Sequence, residues 1–201
     1  MDADQREAAA RLGALLDALV GEPIFNALAG DGTDYGLVLD VGAPLRRSLR
    51  LANPKLSFLQ RTFEGQAGLL LECPWRIEGP GGVAATCFDP RGPGQVGTQA
   101  VAELVGREVQ AAGAEGPGYD LVLALAEGWS LRAFAVQTGD NWSVWGPSGS
   151  VQVGPRSRLT PSPPPGPKGG PDLRSVDEEE AELARWKARL EARRGGKPSN
   201  D

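Results

Sequence analysis

The chain writes WRIEGPGGV at residues 75–83 and WSVWGPSGS at residues 142–150, two copies of Trp, any residue, a β-branched aliphatic, any residue, Gly-Pro-x-Gly. Gly-Pro-x-Gly between β-rich runs is turn chemistry, because Pro fixes φ and Gly tolerates positive φ. Each stretch predicts a hairpin in which Trp75 or Trp142 brings a large apolar body to the core, with an indole N–H that needs a partner. Outward from this pair, further anchors recur in the same order. Leu19-Val20-Gly21 matches Leu104-Val105-Gly106, and Tyr35-Gly36-Leu37-Val38-Leu39 matches Tyr119-Asp120-Leu121-Val122-Leu123. The offsets are 85 and 84 residues and then 67 at the Trp motif, so the first copy holds about 17 extra residues between Gly42 and Trp75. Collinear anchors predict an internal duplication.

Leu12, Leu15, Leu16 and Leu19 recur at helical spacing, with Asp2 and Asp4 at the positive end of the helix and Gly21 as its stop. PIFNAL, YGLVLDV, RRSLRLA, GLLLECPWRI and GVAATCF then read as strands separated by turn residues. TQAVAELV (98–105) reads as a second helix, capped by Thr98 and closed by Gly106, and REVQAAGA, DLVLALAE, SLRAFAVQ, NWSVWG and SVQVG as further strands. The expected fold is α+β, mainly antiparallel β closed as a barrel or sandwich, built from two duplicated helix-plus-strands units. Copy one spans about 12–90 and copy two about 98–154, within one domain of residues 1–154. Residues 155–174 predict a Pro/Gly-rich linker, 175–194 a separate charged C-terminal helix with acids at its start and bases at its end, and 195–201 a disordered tail.

Residues 1–154 carry 11 Lys+Arg against 18 Asp+Glu, and residues 155–201 carry 10 against 8. An acidic body repels phosphate backbones, so nucleic acid is a disfavoured partner. There is no apolar run near 20 residues, and MDADQREAAARL has acids where a signal peptide needs bases, so the expectation is a cytoplasmic protein with no membrane partner. The chain has no histidine, which removes Ser-His-Asp and Cys-His nucleophile systems and imidazole metal ligands together. A protein that is not an enzyme, with no cofactor and no metal, is the expectation. Gly92-Pro93-Gly94-Gln95-Val96-Gly97 fits a dinucleotide-loop spacing, but Asp89-Pro90-Arg91 separates it from the preceding strand and Pro93 stiffens it, which favours a connector. Cys73 and Cys87 face each other if the first hairpin turns near Pro80, and two buried free thiols are expected there. Glu78, Asp89 and Asp140 lie near hairpin ends, and their spacing assigns no catalytic pair.

Three features offer a surface for a partner. Arg46, Arg47, Arg50, Lys55 and Arg61 form a basic run with no acid between Asp40 and Glu64, inside the insertion that only the first copy carries. Trp142 and Trp145 sit at odd spacing on one strand, so they point to opposite faces and leave one ring for a partner. Val176, Leu183, Trp186 and Leu190 line one stripe of the C-terminal helix, which docks on its own chain or on another.

Trp-Arg-Ile-Glu (75–78), Leu-Val-Gly (104–106), Asp-Leu-Val-Leu (120–123), Gly128 and Asn141-Trp142 before Gly-Pro-x-Gly together resemble a loose group of small bacterial β-rich proteins, some of immunity or accessory type. The resemblance covers roughly residues 15–154; it implies a binding-type domain and transfers no catalytic residue. The function expected is therefore a non-catalytic protein-binding module with another protein as partner. A carboxylate-dependent hydrolase with a cleft between the two copies, and a self-associating structural homo-oligomer, stay open beside it.

Overall fold

A computed structural model describes residues 2–30, 35–47, 50–53, 56–164 and 176–195. It divides into two compact units, Met1–Ala43 with Gly65–Gly166, and Pro44–Glu64 with Pro167–Asp201. The first unit begins with α1 (Ala3–Asp17), where the Asp2 carboxylate accepts the Gln5 N–H at 2.8 Å. Ala8, Leu12, Leu15 and Leu16 form its buried face. The chain turns after it at Gly21, φ 86°, a left-handed backbone that favours glycine. The second helix of this unit, α3 (Val96–Glu103), ends in the same way at Gly106, φ 86°. It starts two residues before the expected Thr98. Thr98 does not cap it; its Oγ1 accepts the Gly92 N–H at 2.9 Å and so closes the Gly92–Gly97 loop. The short helix α2 (Phe58–Thr62) lies in the second unit.

The strands form two mainly antiparallel sheets. One runs in the order β1 (Ile24–Ala29), β2 (Leu37–Arg46), β3 (Phe63–Leu71), β9 (Trp142–Gly146), β10 (Gly149–Val153), β11 (Leu159–Ser162). The other runs β5 (Gly82–Thr86), β4 (Trp75–Gly79), β8 (Trp129–Ala133), β7 (Asp120–Leu125), β6 (Val109–Glu115). Three strands β1-β2-β3 thus carry the hairpin β9-β10 in the order in which β6-β7-β8 carry β4-β5. Each Trp hairpin leaves the sheet of the strands that precede it and completes the other sheet. GLLLECPWRI is accordingly two strands and not one. Its run is broken at Glu72-Cys73-Pro74, where Pro74 has no N–H for a ladder and the chain passes from one sheet to the other.

The two series of elements meet at an isolated antiparallel bridge between Pro23 and Glu108. Around it the main-chain bonds come in exchanged pairs at an 85-residue spacing. Gly21 N donates to Val109 O and Gly106 N to Ile24 O, both at 2.8 Å, while Ile24 N donates to Arg107 O at 2.8 Å and Val109 N to Glu22 O at 2.9 Å. Strand β1 is bulged between Ile24 and Asn26, and β6 between Val109 and Ala111. One buried cluster draws on both sheets, α1 and α3, and its largest enclosed side chains are Trp75 and Trp142. Trp75 Nε1 donates to Tyr35 O at 2.7 Å and Trp142 Nε1 to Tyr119 O at 2.8 Å, so each indole ties its hairpin to the turn that opens β2 or β7.

Two differences replace the single insertion expected from the offsets. β2 to β3 is linked through Arg47–Thr62, whereas β7 to β8 is closed by a single turn, Ala126–Gly128. In the opposite sense, β3 to β4 takes three residues while β8 to β9 takes the longer loop 134–141. Buried Asn141 holds that loop, accepting the Val136 N–H at 2.7 Å and donating to Val136 O and Gly154 O. The domain also continues past residue 154, into the stretch expected to be linker. β11 pairs with β10 from Ser150–Ser162 to Val153–Leu159, and the Gln5 side-chain amide both donates to and accepts from the Leu159 main chain at 3.0 Å. An edge strand tolerates Pro161 because its missing N–H need not face a neighbour.

Because both indoles make the same bond from the same place, Trp75→Phe and Trp142→Phe are expected to cost similar amounts, about 1–3 kcal/mol each, by orphaning a main-chain carbonyl. Urea midpoints of the two variants at unchanged m-value check this; a large cost at only one position contradicts the equivalence.

Candidate functional site

The second unit gathers most of the residues proposed for a partner. Ser57 opens α2 with a capping box: Gln60 N donates to Ser57 Oγ at 3.3 Å and Ser57 N to Gln60 Oε1 at 2.8 Å. RRSLRLA, expected as a strand, has no strand beyond Arg46 among its described residues. It is held to the α2 segment by Arg47 N donating to Thr62 O at 2.8 Å and Leu51 N to Arg61 O at 2.9 Å. Arg47 is committed internally, since its Nε donates to Phe63 O at 2.9 Å and its Nη1 pairs with Glu64 Oε2 at 2.7 Å. Arg50 is exposed, its guanidinium 4.7 Å from the Phe58 ring centroid, and Arg46 is half-buried. Lys55 lies outside the described residues. Thr62 Oγ1 and Arg61 Nε are enclosed with no hydrogen-bond partner.

The C-terminal helix α4 (Val176–Gly195) packs against α2 within this unit, and of its apolar stripe the Val176 side chain lies outside the described residues. Trp186 is buried and Leu183 half-buried, while the side chain of Leu190 lies outside the described residues. A helix this polar gains its stability from such packing more than from propensity.

On the Trp hairpins, burial separates the two rings expected to differ. Trp142 is wholly enclosed and is a core residue, not a contact for a partner. Trp145 is half-buried on the other face of β9, and its ring lies across Gly68 on β3, where any Cβ would collide with it. At the matching place in the second sheet Glu78 stands opposite Ser130, whose Oγ donates to Glu78 Oε2 at 3.2 Å, and Glu78 pairs with Arg76 at 2.6 Å. Sequence reasoning missed Gly68 as the partner of Trp145, because a cross-strand neighbour 77 residues away leaves no local signal.

Of the carboxylates near hairpin ends, Glu78 and Asp89 are engaged locally, while Asp140 is exposed. Asp89 Oδ2 accepts the Thr86 N–H at 2.6 Å and the Thr86 hydroxyl at 3.0 Å, which closes the turn after β5. Cys73 and Cys87 are buried free thiols. They are not directly opposed, because the register shifts between Ile77 and Glu78 and Cys87 N instead donates to Trp75 O at 3.0 Å. Burial above all pushes the Cys73 thiol up to about 12, with the charge of Asp120 adding and a main-chain hydrogen bond at Cys73 opposing. A groove of about 730 Å³ runs between the start of α1 and β11, lined by Asp2, Asp4, Glu7 and Arg11 from the start of the chain and by Arg156 and Arg158 from just before β11. Arg11 is already engaged, donating to Ser148 O at 2.6 Å and Ser162 O at 2.9 Å. Among the described residues there is no group of three or more His, Cys, Asp or Glu arranged to hold a metal, and no helix long and apolar enough to cross a membrane.

No family model matches the chain, and neither does any curated protein or solved structure.

Trp186→Ala is expected to release α4 from α2, read as faster hydrogen exchange across 183–190 with the exchange of β7 and β8 unchanged; protection that persists in α4 contradicts the packing. For Cys73, the unfolded thiol ionises near 9.0 and the folded one near 12. Its stabilisation is therefore full below the unfolded value and is lost as pH rises through the folded one. The urea midpoint of Cys73→Ala should fall less than that of the parent between about pH 8 and about pH 10.

Proposed function

We propose that the chain is an internally duplicated α+β scaffold, its two sheets closed over one core, that works as a non-catalytic protein-binding module with the second unit as its recognition surface. The observation that carries this is the pair of unequal links. Ala126–Gly128 joins β7 to β8 in one turn, and the corresponding β2 to β3 link holds Arg47–Thr62. A scaffold that closes one link with a turn does not need a helix-bearing insertion to close the other, so the insertion has a different task. The exchanged main-chain bonds around Pro23 and Glu108 support the duplication. That α4 packs against α2 supports treating insertion and C-terminal helix as one surface.

Exposed Arg50 supplies a planar cationic contact on this surface, suited to carboxylates of a partner. The net charge of −5 favours a partner that is basic overall, through steering more than through contact energy. An immunity or accessory role, as the resemblance implies, fits a module of this kind.

The test replaces Arg47–Thr62 by the turn Ala-Glu-Gly and ends the chain at residue 164, after β11. Cooperative unfolding should persist, and crosslinking pull-downs should lose the partners captured by the 201-residue chain. Recovery of the same partners by the shortened chain would move the recognition surface to the scaffold.

A further inference from the structure

The two sheets differ at one end. β10 is covered on its outer edge by β11, whereas β5, which holds the same place in the other sheet, is a terminal strand with no further strand paired to it among the described residues. The two hairpins share a Gly-Pro-x-Gly turn with similar φ at its last glycine, 119° at Gly149 and 110° at Gly82. Their surroundings are opposite. A Cβ built on Gly149 would collide with Arg11 Nη2 and Ser162 O and would stand 3.1 Å from the Pro163 main chain, while at Gly82 it would meet nothing within 4 Å. Along the strands, Ser150 is half-buried and Val151 enclosed, whereas the corresponding Val83 is 60% exposed and Ala84 half-buried.

We infer that the outer edge of β5 is an acceptor site for an extended, proline-containing peptide with an aliphatic anchor, bound as an added strand. It is a site on the first unit, separate from the surface proposed for the second. β11 shows the chemistry that such an edge takes. It is Leu159-Thr160-Pro161-Ser162, with Leu159 buried at one end and Pro161 opposite Val151, so its missing N–H leaves the ladder intact. α3 also packs against β5, and just past the strand Phe88 is 74% exposed and meets Tyr35 edge-on at 5.8 Å between ring centroids. Exposed aromatic rings next to an extended backbone are a receiving surface for proline rings.

The edge is built for a short ligand and not for a second copy. β5 has five residues, it is paired irregularly with β4, and Asp89 Oδ2 already holds the Thr86 N–H at 2.6 Å. These features leave only the Gly82–Ala85 stretch to bond. A β5-to-β5 contact of that length falls far short of the roughly 1,200–2,000 Å² of a stable dimer interface, whereas a four-residue strand needs no more.

The probe is a fluorescent peptide of residues 157–164, SRLTPSPP, titrated into the 201-residue protein beside a scrambled peptide. Saturable binding is expected, with slowed hydrogen exchange at residues 82–86. Val83→Pro should abolish it, and Phe88→Ala, at a site too exposed to threaten folding, should weaken it by about ten-fold. Three results overturn the assignment: equal binding of the scrambled peptide or none at all; protection at 149–153 instead, meaning that the peptide only displaces β11; or protection of 82–86 that grows with protein concentration without peptide, meaning that a second copy occupies the edge. None of these bears on the second unit, whose test reads a different surface.

Discussion

The Gly21 N–H reaches the Val109 carbonyl, and the Gly106 N–H reaches the Ile24 carbonyl, both at 2.8 Å. The rest of the scaffold depends on this exchange. It requires the chain to turn back at the same point after each Leu-Val, with φ 86° at both glycines. It sets the first strand of each series beside the end of the other series' helix, and α1 packs on β6 while α3 packs on β1. Each Trp hairpin then crosses to the opposite sheet. Neither series could bury its own apolar faces alone, because the strands that complete its sheet belong to the other. Cooperative folding of the first unit follows from that arrangement.

Against this shared frame, the two series differ at particular places. Trp145 over Gly68 in one sheet is Glu78 against Ser130 in the other, so a large ring over a missing side chain in one is a hydrogen-bonded polar pair in the other. Glu22 has Arg107 as its counterpart, and Arg107 lies buried 4.5 Å over the Trp129 ring between Glu103 and Glu127. These exchanges are local and leave the strands in place. The Arg47–Thr62 link and β11 add whole elements that the other series does without, and both lie where a sheet would otherwise end or turn.

Much of the repetition was legible because it lies in short local signals: the Leu-Val-Gly stops, the Trp-x-aliphatic strands and the Gly-Pro turns. The exchange of hairpins was not, since which strand a hairpin joins is a long-range choice and the apolar run through Leu71 and Trp75 hides the break at Pro74. β11 was hidden by composition, as a Pro-rich stretch reads as polyproline while an edge strand tolerates the same residues. α2 could have been found, because Ser57-x-x-Gln60 is a capping-box signature. Of the candidate partner residues, Arg50, Trp145 and Trp186 have distinct places, and Trp142 was lost to the core because strand parity gives two faces but not which of them is covered.

Native-state hydrogen exchange tests the central claim most directly. If each sheet is assembled from both series, the amides of Gly21, Ile24, Gly106 and Val109 should exchange only through global unfolding, with one free energy equal to that from urea denaturation. Exchange of residues 3–46 as a separate, less stable unit while 96–133 stays protected would contradict it.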